Sequence, residues 1–417
     1  MTLKIGMVTG EFPPMEGGVG AFTSELSAAL HDLGHEVHVV TGREARPKSV
    51  QRDVWNPRDP HDVGYAHMHP RVNRWWWSAN GVVVDVALRY ELDIVNIQYQ
   101  AAAYDMRIPA INLLPWRMRG LSPTVVTFHD LRHPYLFPKA GRLRRWVVHH
   151  LARSADGVLA TNSEDFDRLL DWGVAAQKLR QIPIGSNVTA NPSTISEIQA
   201  VRGELGLDSE GCLLGYFGFI NPSKGPDLLI QALAGLDNGY HLAFIGGKVG
   251  SSDPTNTAYL VQIEELIRDL GLQDRVHWSG FLEEQALSAH MAACDIMVMP
   301  YRDGVSLRRG TLMAILAHGR PLITTRPEQS SSQLTHGHNI WLTEVDDPAA
   351  LSDAIRTLVA DDALREQLGR GAKKVSGQFT WDKIAAETVN FYHAVLGNEN
   401  DNSEAAAVAR QTGLSGP

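Results

Sequence analysis

Short runs of consecutive apolar residues alternate with longer stretches of helical spacing along the whole chain. LKIGMV and HEVHVVT read as strands on either side of a helix from Val19 to Leu33, whose end Gly34 marks. Further strands are predicted at Asp93–Gln98, Thr124–Thr127 and Gly157–Ala160, with helical patterns between them. After PIGSNVTANPST the alternation restarts. CLLGYFGF, YHLAFIGG, RVHWSGF, DIMVMP and PLITT are predicted strands, and Asp227–Leu236 and Tyr259–Leu270 are predicted helices, with another between DIMVMP and PLITT. Strands and helices alternating in this way specify parallel sheets covered by helices.

The restart implies an α/β chain of two Rossmann-like, doubly wound domains. These are residues 1–190 and 191–378, with the Pro/Ser/Asn-rich Gly185–Thr194 as linker. Asp347–Leu368 reads as surface helices. FTWDKIAAETVNFYHAVL, residues 379–396, places Trp381, Ile384, Ala385, Val389 and Tyr392 on one stripe and is predicted to close the fold as a helix. Residues 397–417 are Ala/Ser/Asn/Gly-rich and are predicted to be disordered.

A length of 417 residues with 44% hydrophobic and 20% charged content agrees with a soluble two-domain protein. No apolar run approaches the roughly 18 residues of a membrane span, and MTLKIGMVTGEFPP opens as a strand rather than a signal peptide, so a cytoplasmic location is expected. The two cysteines, Cys212 and Cys294, stand in apolar segments and read as core residues, which disfavours a disulfide framework or thiolate metal site. The net charge of −9 is unevenly spread: residues 1–190 carry 21 Lys+Arg against 19 Asp+Glu, and residues 191–417 carry 17 against 28. No nucleic-acid partner is expected. The first half also holds KAGRLRRWVVHHLAR (Lys139–Arg153) and RVNRWWW (Arg71–Trp77). Two readings of these stretches stay open: contact with anionic lipid or a large acceptor, at most peripherally on an inner membrane face, or a solvated helix face and a loop packed on its own domain.

Ligands of open parallel sheets bind beyond the carboxyl ends of the strands, and two such sheets facing one another enclose a cleft. Four strand-end loops could carry chemistry. GEFPPMEGGVGAF follows the first strand, and Gly17, Gly18 and Gly20, bare of side chains, would let backbone amides approach a phosphate or a sugar, unless the glycines only make a tight turn. Its spacing is not the dinucleotide fingerprint, and no acidic residue ends the next strand. TFHDLRH sets His129 and Asp130 at a strand end, where an imidazole can hold a substrate hydroxyl or move a proton, or simply be structural. YFGFINPSKGPDLLIQAL places Lys224 just ahead of a helix start, a position suited to a phosphate, although a lysine before a helix is usually a surface residue. In PYRDGVSLRRGTLMAILAHGRP, Ser306 is expected to cap a helix. Arg308, Arg309, Gly310 and Thr311 would then gather amides, a hydroxyl and two guanidinium forks at its positive end. Paired arginines there oppose the helix dipole unless an anion balances them. The competing reading puts one arginine on Asp303 and the other in water.

These loops in this order, from GEFPPMEGGVG through the strand ending in His-Asp, FGFINPSKGPDLLIQAL and AHGRPLITT to the closing helix, resemble the family 4 glycosyltransferases of the GT-B type. The resemblance implies two facing Rossmann-like domains, with the closing helix crossing back onto the first. It implies transfer of a sugar from a nucleotide-diphosphate donor with retention at the anomeric carbon, with no cofactor and no metal. The acceptor would sit on the N-terminal domain, and a saccharide or lipid-linked compound fits the resemblance. It implies that Gly17, Gly18 and Val19 approach the donor phosphates, that His129 bonds a hydroxyl of the donor sugar, and that Lys224 holds the diphosphate. The chain departs from the family in three places. Phe219 stands where an arginine is usual, and Ser306 and Ala314 stand where two glutamates with seven residues between them are usual. Either Arg308 and Arg309 replace the missing cationic contacts and Asp303 or Ser306 holds the sugar, or the protein binds sugar nucleotides without catalysis as a partner of another transferase.

Overall fold

The computed structural model describes residues 2–15, 17–46, 58–105, 107–137, 139–207, 211–248, 254–328 and 331–412. The chain forms two compact units, Met1–Pro183 with Trp381–Pro417, and Ile184–Thr380. The division falls just before the Pro/Ser/Asn-rich stretch.

The first unit runs β1 (Lys4–Thr9), α1 (Gly18–Asp32), β2 (Glu36–Gly42), β3 (His61–Asp62), β4 (His67–Val72), α2 (Trp77–Tyr90) and β5 (Ile94–Tyr99). It continues with α3 (Leu114–Met118), β6 (Thr124–Phe128), α4 (Arg142–Ser154), β7 (Gly157–Ala160), α5 (Ser163–Asp171) and β8 (Leu179–Gln181). These strands form one sheet in the order β3-β4-β2-β1-β5-β6-β7-β8, and only the short β3 is antiparallel. The apolar runs read from the sequence are the central strands: Ile5, Met7, Val8, Ile94, Val95, Ile97, Val125 and Val126 are fully buried. Strands β4 and β8 lie outside the predicted set. HMHPRV and LRQ lack the apolar run that marks a central strand, and they owe their strand form to pairing beside β2 and β7.

The second unit runs α6 (Ile195–Glu204), β9 (Cys212–Phe217), α7 (Pro226–Ala234), β10 (Tyr240–Ile245), α8 (Pro254–Asp269), β11 (Val276–Trp278) and α9 (Glu284–Ala293). Then follow β12 (Ile296–Met299), α10 (Gly310–Ala317), β13 (Leu322–Thr325), β14 (Trp341–Thr343), α11 (Pro348–Val359) and α12 (Asp362–Ser376). Its sheet has the order β11-β10-β9-β12-β13-β14, parallel throughout. Cys212 and Cys294 are free and buried in it. Helix α11 is less of a surface element than its composition suggests, because Leu351, Ile355 and Leu358 are buried on one face.

The last helix, α13 (Trp381–Thr412), belongs to the first unit. Ile384, Ala385, Tyr392 and Val395 are buried there, and the Tyr392 hydroxyl accepts a 2.6 Å bond from Asn96 Nδ2 in β5. It packs along α1. The helix does not stop at Gly397. It runs on through most of the segment predicted to be disordered, because SEAAAVARQ contains the strongest helix formers, and only residues 413–417 lie outside the described part. No described helix is long and apolar enough to cross a membrane.

Candidate functional site

In the second unit the strand order reverses between β9 and β12: β10 and β11 continue to one side, β13 and β14 to the other. The loops that leave the carboxyl ends of β9 and β12 therefore diverge, and the crevice at such a switch point is where doubly wound sheets bind ligands. Arg302 ties the two loops together. Its N–H donates to Ser223 O at 2.9 Å, and its guanidinium grips the Asp227 carboxylate through two bonds of 2.8 and 2.7 Å.

Lys224 stands in the β9 loop, and its Nζ donates to Phe219 O at 3.1 Å. Burial, with the nearby Arg309 charge adding to it, brings the ammonium pKa down to about 8. Gly218, with φ of 94°, adopts a conformation that side chains disfavour. A Cβ there would meet Thr311 Cγ2 at 2.7 Å and Lys224 Nζ at 3.1 Å, so the bare glycine keeps open the space between the two loops.

On the β12 side the helix start differs from the sequence expectation. Arg309, not Ser306, is the N-cap residue of α10, and no side chain caps it. Ser306 instead closes the preceding turn: its carbonyl accepts from Arg309 N at 3.2 Å, and its Oγ faces Arg308 N at 3.5 Å. Gly310 and Thr311 form the first turn, which contains no acidic residue. The Arg309 guanidinium bonds the Asp303 carboxylate and lies 4.1 Å above the Tyr301 ring, a cation–π platform. Its Nε is buried with no acceptor. Arg308 reaches the other Asp303 oxygen at 3.7 Å, so both arginines face one carboxylate, and neither is left to water as the competing sequence reading had it. Thr311 Oγ1 is 3.0 Å from the Tyr301 hydroxyl. Ala314 is fully buried and offers no polar group.

The first unit has its own switch point, between β1 and β5. The glycine loop leaves β1 and enters α1 at Gly17, whose backbone is extended at φ of −176° and whose lack of a side chain matters for space alone. A Cβ on Gly17 would stand 1.9 Å from Glu11 Oε2. The helix start is thus covered by the chain's own carboxylate. Burial raises the Glu11 pKa, and a backbone bond from Gly20 works against that rise. Two strands away, His129 continues β6, with its N–H donating to Tyr99 O at 3.0 Å. Its Nε2 pairs with Gln98 Oε1 at 3.0 Å, and its ring meets Phe22 edge-on at 4.7 Å. Burial lowers the imidazole pKa to about 3, so His129 is neutral at physiological pH. Asp130 is engaged in the turn itself, accepting from Gln100 Nε2 at 3.2 Å and Arg132 N at 3.1 Å.

The predicted residues thus fall into two groups, one per unit. Lys224, Asp303, Ser306, Arg308, Arg309, Gly310 and Thr311 gather at the second switch point. In the first unit, Gly17, His129 and Asp130 lie on strand-end loops, while Gly18 and Val19 open helix α1, with the Val19 side chain buried. Sequence reasoning missed Glu11, Gln98, Gly218 and Tyr301. Gln98 could have been found, with Asn96, as a polar residue in a mostly apolar strand, and Glu11 as an acidic residue in the loop that leaves β1. Tyr301 carried no signal, because an aromatic after a strand is ordinary core.

The arrangement at β9 and β12 is suited to an anion of more than one charge. It offers a low-pKa ammonium, a guanidinium with an unused buried donor, a second guanidinium, and an uncapped helix N-terminus.

Comparison with known proteins bears on this arrangement. The family model described as "Glycosyl transferases group 1" matches residues 197–375, and that described as "Glycosyl transferase 4-like domain" matches residues 17–185. The D-inositol 3-phosphate glycosyltransferase of Xylanimonas cellulosilytica is 27% identical over 245 residues, 57% of this chain and 57% of that protein. The match therefore spans less than two thirds of that relative's length. A GDP-mannose-dependent alpha-(1-6)-phosphatidylinositol monomannoside mannosyltransferase of Mycobacterium tuberculosis is 24% identical over 414 residues, 93% of this chain and 97% of that protein. Among solved structures, Anabaena HepE in complex with UDP and glucose superposes with a TM-score of 0.70 at 20% identity, covering 93% of this chain and 99% of that one. The likeness establishes a common GT-B fold. With both of its units matched in order by the two glycosyltransferase models, the chain belongs to the family 4 glycosyltransferases.

Proposed function

We propose that this protein transfers a sugar from a nucleotide-diphosphate donor to an acceptor hydroxyl. The reading rests chiefly on the convergence of Lys224, Arg308, Arg309 and the uncapped start of α10 on one switch point. Lys224 and Arg309 neutralise the charge that builds on the diphosphate as the sugar departs, and the α10 amides add the helix dipole. Asp303 orients the two guanidinium groups rather than holding the sugar, since its carboxylate already faces both. The glutamates usual to the family are absent, so the cations carry more of the donor contact.

His129 acts as a neutral hydrogen-bond partner. The His129 Nε2–H donates to Gln98 Oε1, which leaves Nδ1 as an acceptor for a sugar hydroxyl. Retention follows when the bond from the anomeric carbon to the phosphate oxygen breaks and the bond to the acceptor oxygen forms on the same face. The acceptor's proton then passes to the departing phosphate oxygen, and no separate base is consumed. The acceptor is a saccharide, a polyol phosphate or a lipid-linked compound, classes that the names of the relatives include.

The test is turnover. Purified protein is incubated with UDP- and GDP-sugars, and the anomeric configuration of any product or hydrolysed sugar is read by proton NMR before mutarotation. Release of nucleotide diphosphate with a retained anomer supports the proposal. Tight donor binding without transfer or hydrolysis from any donor in the panel would instead identify a binding subunit.

A further inference from the structure

One surface of the first unit has a composition the donor chemistry leaves unused. Residues 106–155 contain nine Lys and Arg but a single acidic residue, Asp130, in a chain of net charge −9. Asp130 is turned into its own loop, where Gln100 and Arg132 N hold it. The cations are not scattered. Helix α4 buries Val147, Val148 and Leu151 on one side and exposes Arg142, Leu143, Arg145 and Trp146 on the other. Trp146 is 53% exposed and stacks on His150 at 5.0 Å. The loop before α4 brings Tyr135 and Phe137 to the same patch: Arg144 lies 4.7 Å over the Tyr135 ring and donates to Phe137 O at 2.9 Å. Helix α3 packs against α4 and adds Trp116, 59% exposed, beside the exposed Arg117 and Arg119. None of Arg117, Arg119, Arg142 and Arg145 has an ion-pair partner among the described residues.

We infer that the α3–α4 face docks on an anionic lipid bilayer, with Trp116, Phe137, Leu143 and Trp146 entering the interface and the arginines meeting lipid phosphates. Charge alone would suit nucleic acid or an acidic protein equally. The interleaved apolar tips decide for a bilayer, because each would otherwise expose large aromatic or aliphatic surface to water, and amphipathic faces of this kind lie in the headgroup region. Among the described residues no helix could span the bilayer, so the contact is peripheral. Helix α4 starts from the loop that leaves the carboxyl end of β6 and carries His129, so docking would hold that sheet edge near the membrane surface. The inference is independent of how the donor is bound.

The full chain is sedimented with vesicles of phosphatidylcholine, and with vesicles mixing it equally with phosphatidylglycerol. Binding to the mixed vesicles only, weakening as salt rises, is expected. The double variant Arg142→Glu, Arg145→Glu should weaken that binding by roughly 25-fold or more, at about five-fold per basic residue lost near the surface. Its thermal unfolding and its stabilisation by donor should match the parent protein. If that variant does not fold, Arg117→Ser with Arg119→Ser supplies the same reading from α3. Trp146→Ala should remove the part of binding that survives high salt, and in the parent protein Trp fluorescence should shift to the blue on vesicles. Equal binding to both vesicle types, unchanged binding in the charge variants, or displacement from vesicles by an equimolar single-stranded RNA would overturn the inference.

Discussion

Arg309 bonds the Asp303 carboxylate while its Nε, buried over Tyr301, finds no acceptor. A guanidinium held this way is aimed but not satisfied. Charge-assisted contacts contribute about 1.5–3 kcal/mol each. Arg309→Ala should therefore raise the Kd for a nucleotide-diphosphate sugar by roughly 10- to 150-fold, measured by calorimetry. Asp303→Asn should cost less than Arg309→Ala, because it loosens the fork without removing it. A larger loss from Asp303→Asn would return the carboxylate to the sugar-holding role.

The Lys224 ammonium adds a pH signature. Its pKa in the free protein is about 8, and a bound diphosphate favours the charged form. Binding is then insensitive to pH below about 7 and takes up a proton above 8, so donor affinity falls as pH rises through that range. Lys224→Arg should abolish the decline, since a guanidinium stays charged. Calorimetry from pH 6.5 to 9.5 in buffers of differing ionisation enthalpy counts the protons.

His129 predicts the opposite kind of result. With a pKa near 3 it stays neutral across the working range, so the acid limb of kcat/KM should not lie at the ordinary imidazole value. His129→Ala should lower kcat while the fold survives. In the stability of the protein the sign is fixed too: the unfolded chain binds a proton on this residue between about 3 and 6.5 and the folded one does not, so the contribution of His129 destabilises the fold as pH falls through that window. His129→Gln should unfold less readily at pH 5 than the parent, relative to pH 7.5, in thermal melts.

Two glycines separate crowding from backbone strain. Gly218→Ala places a methyl 2.7 Å from Thr311 in a left-handed conformation, and should cost about 1–3 kcal/mol of stability together with much of the donor affinity. Gly17→Ala has no backbone penalty, and the atoms nearest the new methyl are those of the Glu11 carboxylate, so much of its cost should vanish in a Glu11→Ala background. Urea melts of the four-member cycle measure that coupling.

The doubly wound layout was legible because parallel strands buried on both faces leave largely apolar runs, unbroken in β9 and β12 and interrupted in β5 by Asn96 and Gln98. Peripheral strands such as β4 and β8 were not, because HMHPRV and LRQ take their form from a neighbour rather than from their own pattern. At the site, glycines, a lysine before a helix and paired arginines were visible as residue types at strand ends. Their geometry was not. The cap at Arg309 rather than Ser306 depends on the turn that Ser306 closes, and the Glu11 carboxylate over Gly17 depends on how the loop folds back. Neither follows from spacing.

The most direct test of the account is one titration series. Nucleotide-diphosphate sugars and the matching nucleoside monophosphates are titrated into the parent protein and into Arg308→Ala, Arg309→Ala. If the second switch point holds a diphosphate, the parent protein should bind the diphosphate forms far more tightly than the monophosphates, and the double variant should lose most of that difference while still folding. Equal affinity of parent and variant for every diphosphate sugar would contradict it.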